Sequence, residues 1–121
     1  MSSILTDVKR QLGITEEYEH FDQLLVICIN SAFSVLHMLG AGPDEGFFIS
    51  DKSTEWTSFL EEGPVLSMVK EYVPLKVQLL FDTSTMTSAV IAVNERQIAE
   101  FEWRIQVAVE NLKELTQNEE Q

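Results

Sequence analysis

Apolar residues recur at three- and four-residue spacing along most of this chain, which is the pattern of helices buried on one side. The most continuous stretch follows Gly63-Pro64, where proline suits the first helical position because the N–H it lacks would have no helical partner. This stretch reaches Asp82, and its apolar stripe includes Val65, Met68, Val69, Tyr72, Leu75, Leu79 and Leu80. We therefore predict a central helix around which the other helices pack.

Two helices are predicted before the central one. The first covers about Ile4 to Leu12, with Ser3 or Thr6 as its N-cap and Gly13 as its C-terminal stop. The second begins at Thr15, has carboxylates in its first turn, and continues to about Leu39.

The second helix carries apolar residues on more sides than one neighbour could cover. Leu24, Ile27 and Phe33 widen its main apolar face, and a polar line opposite contains Gln23, Asn30, Ser34 and His37. Two explanations stay open: the helix contributes to a subunit interface, or it is the central core helix of a monomer.

Residues 44–62 form a long irregular segment between the second helix and the central one. Its large apolar side chains are Phe47, Phe48, Ile49, Trp56 and Phe59. Either this loop folds back on its own helices or it lies on another subunit. Loops of this length in compact domains are usually functional, so these five side chains are candidate subunit-interface residues.

A long last helix is predicted from about Met86 to Leu115, capped by Ser84 or Thr85. At about 45 Å it should project from the bundle. The pattern as a whole predicts an all-α fold: a small bundle of about four helices in one domain, residues 1–115. Residues 116–121 (TQNEEQ) are expected to be a flexible acidic tail.

The formal net charge of −12 narrows the classes of partner. It argues against non-specific binding to DNA or to anionic membranes, which requires a basic surface. The lone Cys28 is interpreted as a small buried hydrophobe. The sequence has neither a signal-peptide pattern nor an apolar run that could span a bilayer, so we expect a protein kept in the cytosol.

Candidate chemistry is sparse. Glu16 and His20 would share a helix face and could begin a metal site, but a solvated helix start explains the same acidic cluster. No nucleophile elbow or cysteine-centred signature is present. We predict no catalytic residues, no metal and no cofactor.

Five sequence segments, taken in order along the chain, resemble one protein family. They are ILTDVKRQLGI, FDQLLVICINSAFSVLHMLGAGP, GFFISDKSTEWTSFL, MVKEYVPLKVQLLFD and RQIAEFEWRIQV. Together they look like the gp6-like head–tail connector (adaptor) proteins of tailed bacteriophages, over roughly Ile4 to Val109. Family members tend to have prolines after LLFD, where this chain has Thr83-Ser84.

The resemblance implies a structural subunit of the virion, assembled in the host bacterial cytoplasm. It implies a homo-oligomeric ring under the portal that extends the DNA channel and receives the next connector, stopper or tail protein. Genomic DNA would pass through without specific binding. In related adaptors the C-terminal segment docks onto the portal. The resemblance therefore implies that the portal-docking residues of this chain are Val109, Leu112, Lys113, Leu115 and Gln121. Ring formation adds Asn30, Ser34 and His37 to the candidate subunit-interface residues.

Two other functions stay open at this stage. An acidic helical module could occupy the basic site of a nucleic-acid-binding partner, and a metal-dependent enzyme could be centred on Glu16 and His20.

Overall fold

The computed structural model describes residues 3–84 and 86–120, with side chains through Leu115. As predicted, this part of the chain is all-α and contains four packed helices and no strands. They are α1 (Ile4–Gln11), α2 (Asp22–Met38), α3 (Pro64–Phe81) and α4 (Ser88–Glu120), with a short 3-10 turn at Trp56–Ser58.

Helix α3 lies at the centre of the bundle, which confirms the prediction from its apolar stripe. It packs against both α2 and α4, and α1 lies against α2 and α3. Its buried side chains are Val65, Leu66, Val69, Tyr72, Val73, Pro74 and Val77. Because α3 is covered on several sides, the surfaces that remain for contact with other molecules belong mainly to α2 and α4.

The ends of α1 follow the sequence signals. The Ser3 hydroxyl accepts a hydrogen bond from the N–H of Thr6 at 3.3 Å. Gly13, at φ +79°, ends the helix. Its N–H donates to the Arg10 carbonyl, and the N–H of Ile14 donates to the Lys9 carbonyl at 2.9 Å. This pair of bonds is a Schellman motif, in which glycine adopts the left-handed conformation at least cost.

Helix α2 begins at Asp22 and not at Thr15, and the buried Lys9 explains the difference. The Lys9 ammonium donates hydrogen bonds to the carbonyls of Glu16 and Tyr18, each at 2.8 Å. It also forms an ion pair with the Asp22 carboxylate at 2.9 Å. Carbonyls directed at an ammonium are not directed at N–H groups four residues later. The segment before Asp22 therefore folds over Lys9 as a series of turns.

Helix α4 starts later and ends later than predicted. Thr87 provides the cap, because its hydroxyl accepts a hydrogen bond from the N–H of Val90 at 3.2 Å. Ser84 instead donates its N–H to the Asp82 carboxylate at 2.9 Å. Hydrogen bonding from the Ser84 side chain, and then from its backbone N–H, lowers the pKa of Asp82. Thr85, the other predicted cap, lies outside the described residues. At its far end α4 continues to Glu120, past the predicted Leu115.

None of the helices in the described ranges has the length and apolarity needed to cross a bilayer. Cys28 is buried in the bundle as predicted, and burial raises the pKa of its thiol.

Candidate functional site

The aromatic loop, residues 44–62, folds back on its own helices. Trp56 is 1% exposed, and Ile49 and Phe59 are buried with it. The Phe33 ring of α2 is the centre of this packing, with the ring centroids of Phe59 and Phe47 at 4.7 Å and 4.9 Å from its own. Of the two arrangements left open by the sequence, the structure has the loop within the subunit.

Three side chains predicted to lie at a subunit interface are therefore core residues of the single chain. Ile49, Trp56 and Phe59 have almost no surface to offer a neighbour, because Phe33 and the helices around it already cover them. Phe47 is half-buried against the same ring. Phe48 differs, since 74% of its side chain is exposed. Among the loop aromatics it is the candidate for contact with another molecule.

Hydrogen bonds fasten the loop to α1 and α2. The Asn30 amide donates to the Ile49 carbonyl at 3.0 Å and accepts from the Ile49 N–H at 2.8 Å. The Trp56 indole N–H donates to the Asp7 carboxylate at 2.9 Å. The N–H of Ile4 donates to the Thr54 carbonyl at 3.0 Å. Asn30, predicted as an interface residue, thus uses its amide inside the chain.

The side of α2 that faces away from α3 is exposed. We call it the outer α2 face: Leu24, Ile27, Ser31, Ser34 and Met38. These residues follow one another at alternating spacings of three and four, which places them on one stripe of the helix. Ile27 is 63% exposed and Met38 is 82% exposed. Helix α2 therefore has exposed apolar side chains as well as buried ones, and their role in a subunit interface stays a prediction.

His37 is also exposed, beside the outer α2 face. Its Nε2 lies 3.0 Å from the Asp44 carbonyl oxygen, which can only accept, so Nε2 is the donor of that hydrogen bond. His37 and Ser34, both predicted as interface residues, are at the surface, and their interface role stays a prediction.

Helix α4 is held to the bundle by one side only. Its buried side chains among the described residues are Ile98, Ile105 and Val109. The Tyr72 hydroxyl donates to the Glu102 carboxylate at 2.8 Å, and burial together with this carboxylate raises the pKa of Tyr72. Between Ser88 and Gln97 no side chain is buried. On the exposed side of this helix, the Arg104 guanidinium lies 2.6 Å from the Glu100 carboxylate one turn earlier.

The opposite side of α4 is exposed and rich in alanine. We call it the outer α4 face: Ala89, Ala92, Val93, Ala99 and Trp103. Trp103 is 64% exposed. A shallow groove beside it is lined by Ser88, Ile91, Ala92, Glu95, Arg96 and Ala99. This face was not predicted from the sequence; the alanines at helical spacing opposite the buried stripe were the available signal.

The predicted portal-docking residues divide into two groups. Val109 is buried and lies against Gly40 at the end of α2, where Lys113 also approaches. Leu112 and Leu115 are more than half exposed near the end of α4. Gln121 lies outside the described residues. Their role in docking stays a prediction.

The acidic segment before α2 does not place Glu16 and His20 on one helix face, because the segment is not helical. Within the described residues, no group of three or more histidine, cysteine or acidic side chains is placed to hold a metal ion. A pocket of about 180 Å³ lies here, between Leu5 and Lys9 of α1, Val26 of α2 and the Asp51 turn. The Lys9 ammonium beside it is already bonded within the chain.

A family model described as "phage connector protein" matches residues 4–112. No curated protein matches the chain, and no solved structure matches it.

Proposed function

Because the chain belongs to the phage connector protein family, a family of structural proteins, we propose that it is a head–tail connector (adaptor) subunit. In this proposal, copies of the chain form a ring beneath the phage portal, and the ring extends the DNA channel. The ring also provides the platform on which the next connector, stopper or tail protein docks. The subunit is then a component of the virion at the head–tail interface, assembled in the host bacterial cytoplasm.

The observation that carries the proposal is the presence of two exposed helix faces, each with large apolar side chains, on two different helices of one bundle. The outer α2 face and the outer α4 face belong to helices that both pack on α3. A cyclic ring uses two different surfaces of each subunit, one for each neighbour. A small monomer has no need of either surface, and exposed apolar patches typically mark interaction sites.

The charge of the chain suits the wall of a DNA channel. With 20 acidic and 8 basic residues, its net charge is −12. A negatively charged wall repels the phosphate backbone, so the genome can pass without being held. No specific contact with DNA bases is part of this proposal.

The end of α4 is the proposed portal-docking segment. Leu112 and Leu115 expose apolar surface, and Lys113 adds a positive charge near them. The helix continues to Glu120, and from Glu110 to Leu115, where the side chains are described, none is buried. This projecting end can reach a second protein while the bundle itself stays in the ring.

The test is the mass of the purified protein in solution over a concentration series, alone and with the matching portal protein. We expect rings, or a monomer that becomes a stoichiometric ring on the portal. A variant with Leu112 and Leu115 both changed to Glu should form the same contacts between subunits and lose only its binding to the portal protein. A protein that stays monomeric at every concentration and ignores the portal would overturn the proposal. That result would favour an acidic module that occupies a basic site on a nucleic-acid-binding partner.

A further inference from the structure

We propose that neighbouring subunits meet through the outer α2 face of one copy and the outer α4 face of the next. This inference rests on the proposed ring and goes beyond it, because it assigns the two surfaces that form each contact. The occupant of each face is thus a second copy of this chain.

The placement of the faces favours a head-to-tail contact. Helices α2 and α4 both pack on α3 but not extensively on each other, so their exposed faces are separate surfaces of the subunit. A contact that joins two different faces leaves one free face at each end of every dimer, and further copies can add until the ring closes. A contact of the outer α2 face with itself would instead stop at a dimer.

The two faces differ in the size of their exposed side chains. The outer α2 face has large side chains, with Ile27 and Met38 among the most exposed apolar residues of the described chain. The outer α4 face has three alanines besides Val93 and Trp103, and the groove beside it has Ala92 and Ala99 in its lining. Ridges of large side chains on one helix pack into grooves between small side chains on another.

Charge supports the same pairing. Two copies that each have a net charge of −12 repel one another, so they should meet where charge is lowest. No Asp, Glu, Lys or Arg occurs from Gln23 to Pro43, a range that includes the whole outer α2 face. The groove on α4 has one charge of each sign, Glu95 and Arg96. Both surfaces are therefore close to neutral within a strongly acidic molecule.

The start of α4 has little packing within the subunit. From Ser88 to Gln97 no side chain is fully buried, and only Ile91 and Asn94 are half-buried. Most helical stability in proteins comes from tertiary packing of one face, so this segment would gain stability from a covering partner. Contact with the outer α2 face of a neighbour would supply that packing, and the outer α4 face lies partly on this segment.

The test uses two variants that each block one face. Ile27→Glu places a charge on the outer α2 face, and Ala92→Glu fills the groove on α4; both positions are exposed, so each subunit should fold normally by circular dichroism. We expect the protein concentration at which rings form to be at least about tenfold higher for each variant alone than for the unchanged chain. When the two are mixed, the intact α4 face of one can bind the intact α2 face of the other. Native mass spectrometry should then detect a one-to-one heterodimer that grows no further.

Leu80→Glu is the matched control, since Leu80 is 50% exposed on α3 and belongs to neither face. It should form rings like the unchanged chain. If rings persist in both blocking variants, the assigned surfaces are wrong although the connector function stands. Homodimers of Ala92→Glu, or a mixture without heterodimers, would overturn the head-to-tail pairing. If the unchanged chain forms no ring alone or with the portal, the proposed function fails first and this inference fails with it.

Discussion

Replacing Trp56 tests whether the aromatic loop is core or interface. Trp56 is 1% exposed, and removing a buried tryptophan to the β-carbon costs about 3–5 kcal/mol. Small domains have unfolding free energies of about 5–15 kcal/mol, so Trp56→Ala should remove a large part of the stability. We expect the urea midpoint, followed by circular dichroism, to fall by a corresponding amount.

Trp56→Phe separates the hydrogen bond from the packing. It keeps most of the ring volume but removes the indole N–H that donates to Asp7. A hydrogen bond to a charged group contributes about 1.5–3 kcal/mol. The Asp7 carboxylate also has the Arg10 guanidinium at 3.3 Å, so it keeps a partner in the variant. The decrease in the free energy of unfolding should therefore be near the lower end of that range.

Phe48→Ala is the matched control in the same loop. Its side chain is 74% exposed, so the free energy of unfolding should change by no more than about 0.5 kcal/mol. The reasoning would be refuted if Trp56→Ala melted like the unchanged chain but no longer assembled. That outcome would mean that the loop lies on a neighbouring subunit.

Two further predictions concern positions inside the bundle. Gly42→Ala should lower the free energy of unfolding by well over the roughly 1 kcal/mol expected for Gly13→Ala in the same urea assay. Both glycines have positive φ, but a β-carbon at Gly42 would clash with the buried Phe59 ring, whereas a β-carbon at Gly13 would meet nothing within 4 Å; equal losses would contradict this. The second concerns Tyr72, whose pKa is raised above its ordinary value of about 10. The contribution of Tyr72 to the free energy of unfolding is therefore complete below about pH 10. It is lost as the pH rises further, because the tyrosine ionises at a lower pH in the unfolded chain than in the folded one. Urea midpoints measured from pH 8 to 11 should fall less steeply in Tyr72→Phe, and parallel curves would refute the assignment.

The helices could be predicted because their signals are local. The stripe of α3, the Ser3 cap and the Gly13 stop each involve residues within a few positions of one another. The start of α2 could not be predicted in this way. It depends on the buried Lys9, whose partners are the carbonyls of Glu16 and Tyr18, and no periodicity reports where a lysine ammonium will lie.

The candidate surfaces were only partly predictable for a similar reason. The sequence indicated that α2 has two apolar sides, but not that the loop covers one of them. That outcome depends on Phe33 and Asn30, which are far from the loop in sequence and contact it only in the folded bundle. Phe48 is exposed although Ile49, Trp56 and Phe59 in the same loop are buried. This difference is likewise a property of the fold, since all four are large apolar residues.

The attachment of the loop to α1 has a consequence for the order of folding. The bond between Asp7 and Trp56 joins residues 49 positions apart, and Ser3 pairs with Glu55 beside it. Contacts between such distant residues form slowly, because the intervening chain loses entropy when its ends meet. The part of the loop around Thr54 and Trp56 should therefore become ordered only after α1 has docked on α2 and α3. A chain that lacked its first dozen residues would lose the bonds from Ile4 and Asp7 that hold this part, whereas the Asn30 bonds to Ile49 would still hold the part that carries Phe48.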